Sequence, residues 1–386
     1  MMMNEVRTQA LDRGFVAQSP AFLDSAAGNL KKSRRVVEKH ESALRAVLCL
    51  IVVIFPLCFP AISQQFKDPN LLAAEDYLKK GNFPKAVEAV ELALTLDPKV
   101  DPDAYLMLGV ALVNLKENPR ALEALETGLE QFPKAVRLEQ HYVSLLQRMG
   151  MPLPEVRQKL ELRLKKAPGS LVLEKALGEA LMKENPLSRQ AQQLLEGVVQ
   201  ASPRDAEAHY LLGQWFCSNN KTEVCRAEMQ KALQLAPAGN APARLQIYLT
   251  LAGAESRLGH PAEAEAAYKK ALEINRALPS PNPTAAYLYV KFLNDHSRGG
   301  ETRPLVDEIL KCAPGFGPAR LERARFLSKE GKLEAALEDA LEGLKDPRND
   351  PDDLRALHSF LAKTYFSLGK TEEAKLHQDW LKTNLK

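Results

Sequence analysis

The chain has 386 residues, of which 45% are hydrophobic, 26% charged and 6% aromatic, with 52 Lys and Arg against 49 Asp and Glu. That length exceeds one ordinary compact domain, and that apolar share excludes an intrinsically disordered chain. The two signs of charge nearly cancel, so a polyanion is a poor electrostatic partner and nucleic acid is set aside. Five cysteines are too few for a small disulfide-stapled scaffold, and the low aromatic share points to helices.

Residues 1–45 read as a basic segment without fixed structure, ending in a flank of Lys31, Lys32, Arg34, Arg35, Lys39 and Arg45. Residues 46–63 read as a signal peptide or a membrane anchor helix. The run from Ala46 to Phe59 is uncharged and almost wholly apolar, and a basic side before such a run stays in the cytoplasm. Small Ala61 and Ser63 before Gln64 suit cleavage, whereas 45 preceding residues are many for a signal peptide. The run is also short for a span, which needs ~20 apolar residues. Either way the body from Gln64 onward is exported, and it is expected to be periplasmic or anchored in the cytoplasmic membrane with an N-terminal cytoplasmic tail. The membrane is a partner only if residues 46–63 remain uncleaved.

The remainder repeats. Pro98, Pro133, Pro168, Pro203 and Pro237 fall 35, 35, 35 and 34 residues apart. Between them recur small and apolar residues at three- and four-residue steps: Gly81, Ala86 and Ala93; then Ala104, Tyr105, Leu108, Gly109, Ala121 and Leu125; then Ala208, Leu212, Gly213 and Ala232. The same set returns at Gly259, Ala264, Tyr268 and Ala271, at Gly331, Ala336 and Ala340, and at Ala362, Tyr365, Gly369 and Ala374. Each unit reads as two helices with a Gly or polar turn between them and a proline at the end. Gly109 and Ala121 stand where two helix axes approach most closely.

This pattern resembles the tetratricopeptide repeat, a unit of 34 positions. The resemblance covers residues 68–386 in about nine units. It implies an all-α fold, a right-handed superhelical solenoid of helical hairpins, with bends expected near 240 and 280. Three units depart from the pattern: Ser144 and Val156 replace small residues in the third, the fourth has one extra residue between Gly178 and Ala191, and Val290 and Thr302 are bulky in the seventh.

The resemblance further implies a non-catalytic scaffold whose first helices line a concave groove for a partner protein or peptide. The groove positions include Leu106, Val110, Val113 and Asn114, then Tyr210 and Gln214, and finally Lys291, Arg325, Lys329 and Lys363. Such a groove is apolar at its start and basic at its end, which suits an acidic partner segment. The alternative is an accessory binding module for cell-envelope polymer or for an exported enzyme.

Nothing in the sequence points to catalysis, to a cofactor or to a metal. The seven histidines are scattered, none in a His-Glu-x-x-His pair, and no phosphate-cradling glycine loop occurs. His209 takes an aromatic position of its helix and reads as a packed ring. Trp215 and Trp380 read as packing residues, with the last helix covering the open end of the stack. Cys217 and Cys225 flank one interhelix turn and could form a disulfide after export, the other reading being two buried thiols. Cys312 reads as a core residue.

Overall fold

The computed structural model describes residues 68–384. The expectations for residues 1–45 and 46–63 therefore lie outside the described residues. Among those described there are 18 α-helices, arranged as nine antiparallel hairpins. The chain is an all-α solenoid. The hairpins are α1 Pro69–Lys79 with α2 Phe83–Leu96, α3 Pro102–Asn114 with α4 Asn118–Gln131, and α5 Val136–Arg148 with α6 Leu153–Lys166. Next come α7 Leu171–Glu184 with α8 Arg189–Ala201, α9 Ala206–Ser218 with α10 Thr222–Leu235, and α11 Ala241–Arg257 with α12 Pro261–Ala277. The last three pair α13 Pro283–Asp295 with α14 Arg303–Cys312, α15 Gly317–Lys329 with α16 Leu333–Gly343, and α17 Pro351–Ser367 with α18 Thr371–Asn384.

Local chemistry sets the boundaries. Asp68, Asp101, Asp205 and Asp350 each accept backbone N–H groups at the start of a first helix, which satisfies donors that have no partner within the helix. A proline follows in the first turn of α1, α3 and α17, where its missing donor costs nothing. Inside the hairpins the turn needs a left-handed residue, supplied by Gly81 at φ 70° in the first unit and by Lys116 at φ 65° in the second. The extra residue of the fourth unit is absorbed by a longer turn, in which Asn185 accepts the Leu187 N–H at 3.0 Å and Ser188 caps α8 at Ala191. Between the fifth and sixth units the linker is Ala236–Asn240, and α11 and α12 both lengthen to 17 residues. In the seventh unit Val290 and Thr302 are both fully buried, and the Thr302 hydroxyl donates to the Gly299 carbonyl in a short 3₁₀ turn before α14.

The small residues pack as helix contacts. Ala86, Ala93, Ala104, Ala121, Ala232 and Ala264 are all 0% exposed. A Cβ at Gly109 would lie 3.2 Å from Leu125, and one at Gly128 would lie 2.6 Å from Tyr105 Cβ. The core runs the length of the array in three stretches that hand over within α11 and within α15, each of which gives one face to either side. Substantial helix contacts join neighbours in the chain or successive first helices. Second helices stand further apart: a cleft of about 610 Å³ separates α2 from α4, bridged by Arg120 to Glu91 at 2.9 Å. No described helix is long and apolar enough to cross a membrane.

Candidate functional site

Successive first helices leave a row of clefts between them. Leu106, Val110, Val113 and Asn114 of α3 line the first, together with His141, Ser144, Leu145 and Arg148 of α5. Its volume is about 290 Å³. Ser144 presents only a small side chain to it from α5, and Gly109 lines it where α3 packs against Leu125 of α4. Leu106 is buried, Val110 and Val113 are half-buried, and Asn114 is exposed with its amide donating to the Val110 carbonyl at 2.8 Å. Arg148 is exposed at the rim and makes no ion pair among the described residues. Desolvation lowers the His141 pKa, with Arg137 adding to the shift and Asp103 opposing it.

The second cleft, about 240 Å³, shares Ser144 and lies between α5 and α7. Its wall is polar. Lys175 sits 2.8 Å from Asp205 and 2.6 Å from Glu207, while Gln147 donates to Glu179 at 2.7 Å. Burial opposes the charge on Lys175, but the two carboxylates outweigh it and raise its pKa.

A third cleft of about 330 Å³ shares Glu179 and continues to Gln214, Cys217, Ser218 and Thr250. Gln214 donates to the half-buried Tyr210 hydroxyl at 2.6 Å. Burial raises the Tyr210 pKa against hydrogen bonds from Thr250 and Gln214. Cys217 and Cys225 form a disulfide with Cα atoms 5.1 Å apart, closing the turn between α9 and α10.

Toward the other end, Lys291, Lys329 and Lys363 are exposed and form no ion pair among the described residues. Arg325 differs, because its guanidinium lies 2.5 Å from Glu322, a buried carboxylate that also accepts the Asn294 amide at 3.2 Å. Asp353 lies near Lys291. Burial raises the Asp353 pKa and Lys291 opposes the shift. Carboxylates therefore stand among the cations of this stretch. His141, Ser144 and Arg148 of the third unit and Lys175 and Glu179 of the fourth were not among the expected groove residues; both of those units depart from the repeat pattern.

His209 is a packed ring, 6% exposed, with Nδ1 2.6 Å from Glu228 and Nε2 3.0 Å from the Pro203 carbonyl. Trp215 is buried and donates to the Ser188 carbonyl at 2.8 Å. Cys312 is exposed, not a core residue: it falls in the last turn of the short α14, whose buried face is made by Val306, Ile309 and Leu310. Among the described residues no group of three or more His, Cys, Asp or Glu side chains is placed to hold a metal ion.

Residues 71–136 and residues 204–277 each match a family described as tetratricopeptide repeat. No curated protein matches the chain. Among solved structures, PilW, described as a widely conserved type IV pilus biogenesis factor, is 22% identical with a TM-score of 0.44, over 57% of this chain and 95% of that one. A tetratricopeptide repeat protein from Parabacteroides merdae is 13% identical with a TM-score of 0.43, over 75% of this chain and 97% of that one. A double mutant of MamA from RS-1 is 22% identical with a TM-score of 0.32, over 55% and 95%.

Proposed function

We propose that this chain, a tetratricopeptide-repeat protein by its fold and by its matches at residues 71–136 and 204–277, is a non-catalytic scaffold whose first helices hold an extended segment of a partner protein. The observation that carries this reading is the unbroken row of clefts from Leu106 to Thr250, each sharing a residue with the next. Most first helices touch their successors while the second helices of the first two units stand apart, which supports reading the clefts as the inner side of the curve. An apolar side chain of the partner would enter at α3 and α5, and its acidic groups would meet Arg148 and the lysines at 291, 329 and 363.

The placement proposed is extracytoplasmic, periplasmic or membrane-anchored. Supporting it are the basic flank with its apolar run at 46–63, and the disulfide at Cys217, which is a bond of oxidising compartments. The polymer-binding alternative has in its favour the exposed ring of Phe366, at 67%, among the described residues.

Capture from an envelope fraction tests the reading. The wild-type chain should retain a protein in stoichiometric amount, and Ser144→Trp, which fills the first cleft, should lose it. A triple reversal of Lys291, Lys329 and Lys363 to Glu should weaken an acidic partner at least tenfold with circular dichroism unchanged. Arg325 is left intact, because a carboxylate there would face Glu322. Equal capture by both variants, or retention on polymer alone, would overturn the proposal.

A further inference from the structure

Histidines 358 and 377 are far apart in sequence, yet α17 and α18 bring their Nδ1 atoms to 2.8 Å. Neither ring nitrogen of either residue has another hydrogen-bond partner among the described residues. Both rings are half-buried and both are held in place by flat contacts. His358 lies on Trp380 with centroids 3.8 Å apart and planes at 4°, and Tyr365 stacks on His377 at 5.6 Å and 11°. Two imidazoles so arranged need something between them, since two lone pairs facing each other repel. A proton on one nitrogen serves, and so does a metal ion.

We propose that His358 and His377 chelate one divalent transition-metal ion of the Cu²⁺, Ni²⁺ or Zn²⁺ class through their Nδ1 atoms, clipping the last hairpin of the solenoid. Nitrogens bonded ~2.0–2.1 Å from one ion at about a right angle stand roughly 2.9 Å apart, close to the spacing already present. Imidazole suits these ions, and the order of affinity should place Cu²⁺ first. The other positions fall to water, because two side chains are all that the hairpin supplies. The function follows from the location: α18 is the last described helix, with its Leu376 71% exposed, and an ion bound only by the folded hairpin stabilises that hairpin.

Trp380 reports on the site directly. Titrating the full chain with Cu²⁺ should quench part of the tryptophan emission, saturating at one ion per chain, and Trp380→Phe should abolish that part while Trp215 emission persists. His358→Gln and His377→Gln should each raise the midpoint at least tenfold, and His141→Gln should leave it unchanged. Both ligand variants change half-buried side chains at the end of the stack, and unchanged circular dichroism confirms their fold. Zn²⁺ should raise the thermal midpoint of wild type but of neither variant. Midpoints equal in all four proteins, or quenching that never saturates, would overturn the assignment.

Discussion

Gly128→Leu should destabilise the array by about 3 kcal/mol, read as a lower denaturant midpoint at unchanged slope. Gly128 lies in α4 against Tyr105 of α3, and even a Cβ there would come within 2.6 Å of both Tyr105 Cβ and Cγ. Tyr105 cannot rotate away, because the atom struck first is fixed to its backbone, and its ring is only 4% exposed. The two helices must separate, and the Tyr105 hydroxyl, which donates to the Pro98 carbonyl at 3.0 Å, moves with them. Gly197 in α8 makes the contrast. A Cβ there meets nothing within 4 Å, so Gly197→Ala should stabilise by about 0.5–1 kcal/mol through helix propensity alone. If both glycines respond alike, close helix approach is not what positions the hairpins.

Asp346→Ala should cost about 2–4 kcal/mol, concentrated in the eighth and ninth units. The Asp346 side chain is 1% exposed and accepts the Gly317 N–H at 2.8 Å and the Arg348 guanidinium at 2.7 Å. It thereby ties the start of α15 to the linker after α16. Removing it leaves a buried helix-terminal donor without a partner. The same carboxylate makes this end sensitive to acid. Burial pushes Asp346 up, but the hydrogen bonds from Arg348 and Gly317 outweigh it and hold its pKa below 3.8. Asp339 behaves likewise, since Arg323 and Arg320 outweigh its burial. Each native carboxylate binds its proton less readily than the unfolded one. Their contribution is therefore complete above the ordinary value of 3.8 and disappears as the pH falls through the lower native values. Hydrogen exchange should show protection in units eight and nine falling below about pH 4, and Asp346→Asn should flatten that dependence. Protection there that is equal at neutral pH and below about pH 4 would contradict this.

Much of the fold could be read from residue spacing because its cause is local and repeated. Pro98, Pro133, Pro168, Pro203 and Pro237 all fall in linkers after second helices, where a residue without a donor ends the helix. Alanines at the expected contact positions are fully buried, since only small residues let two axes close up. The site was less legible. Leu106, Val110, Val113 and Asn114 do line one cleft, but its other wall belongs to the third unit, where Ser144 breaks the pattern that would have pointed to it. Arg325 is tied to Glu322, a buried carboxylate three residues earlier on the same helix, a pair that helical spacing permits but whose burial it does not reveal. Pairings across units are set by side-chain reach in three dimensions. Glu139 of the third unit is one case: buried, it accepts the Ser170 hydroxyl at the start of the fourth at 2.7 Å.

The solenoid is a set of hairpins stacked in one dimension, each shielding only its neighbours. Small-angle X-ray scattering of the chain from Asp68 onward tests that most directly. A compact body of that length has a radius of gyration of about 20 Å. The solenoid predicts a value well above it and a skewed, long-tailed distance distribution. A radius near about 20 Å with a symmetric distribution would contradict it.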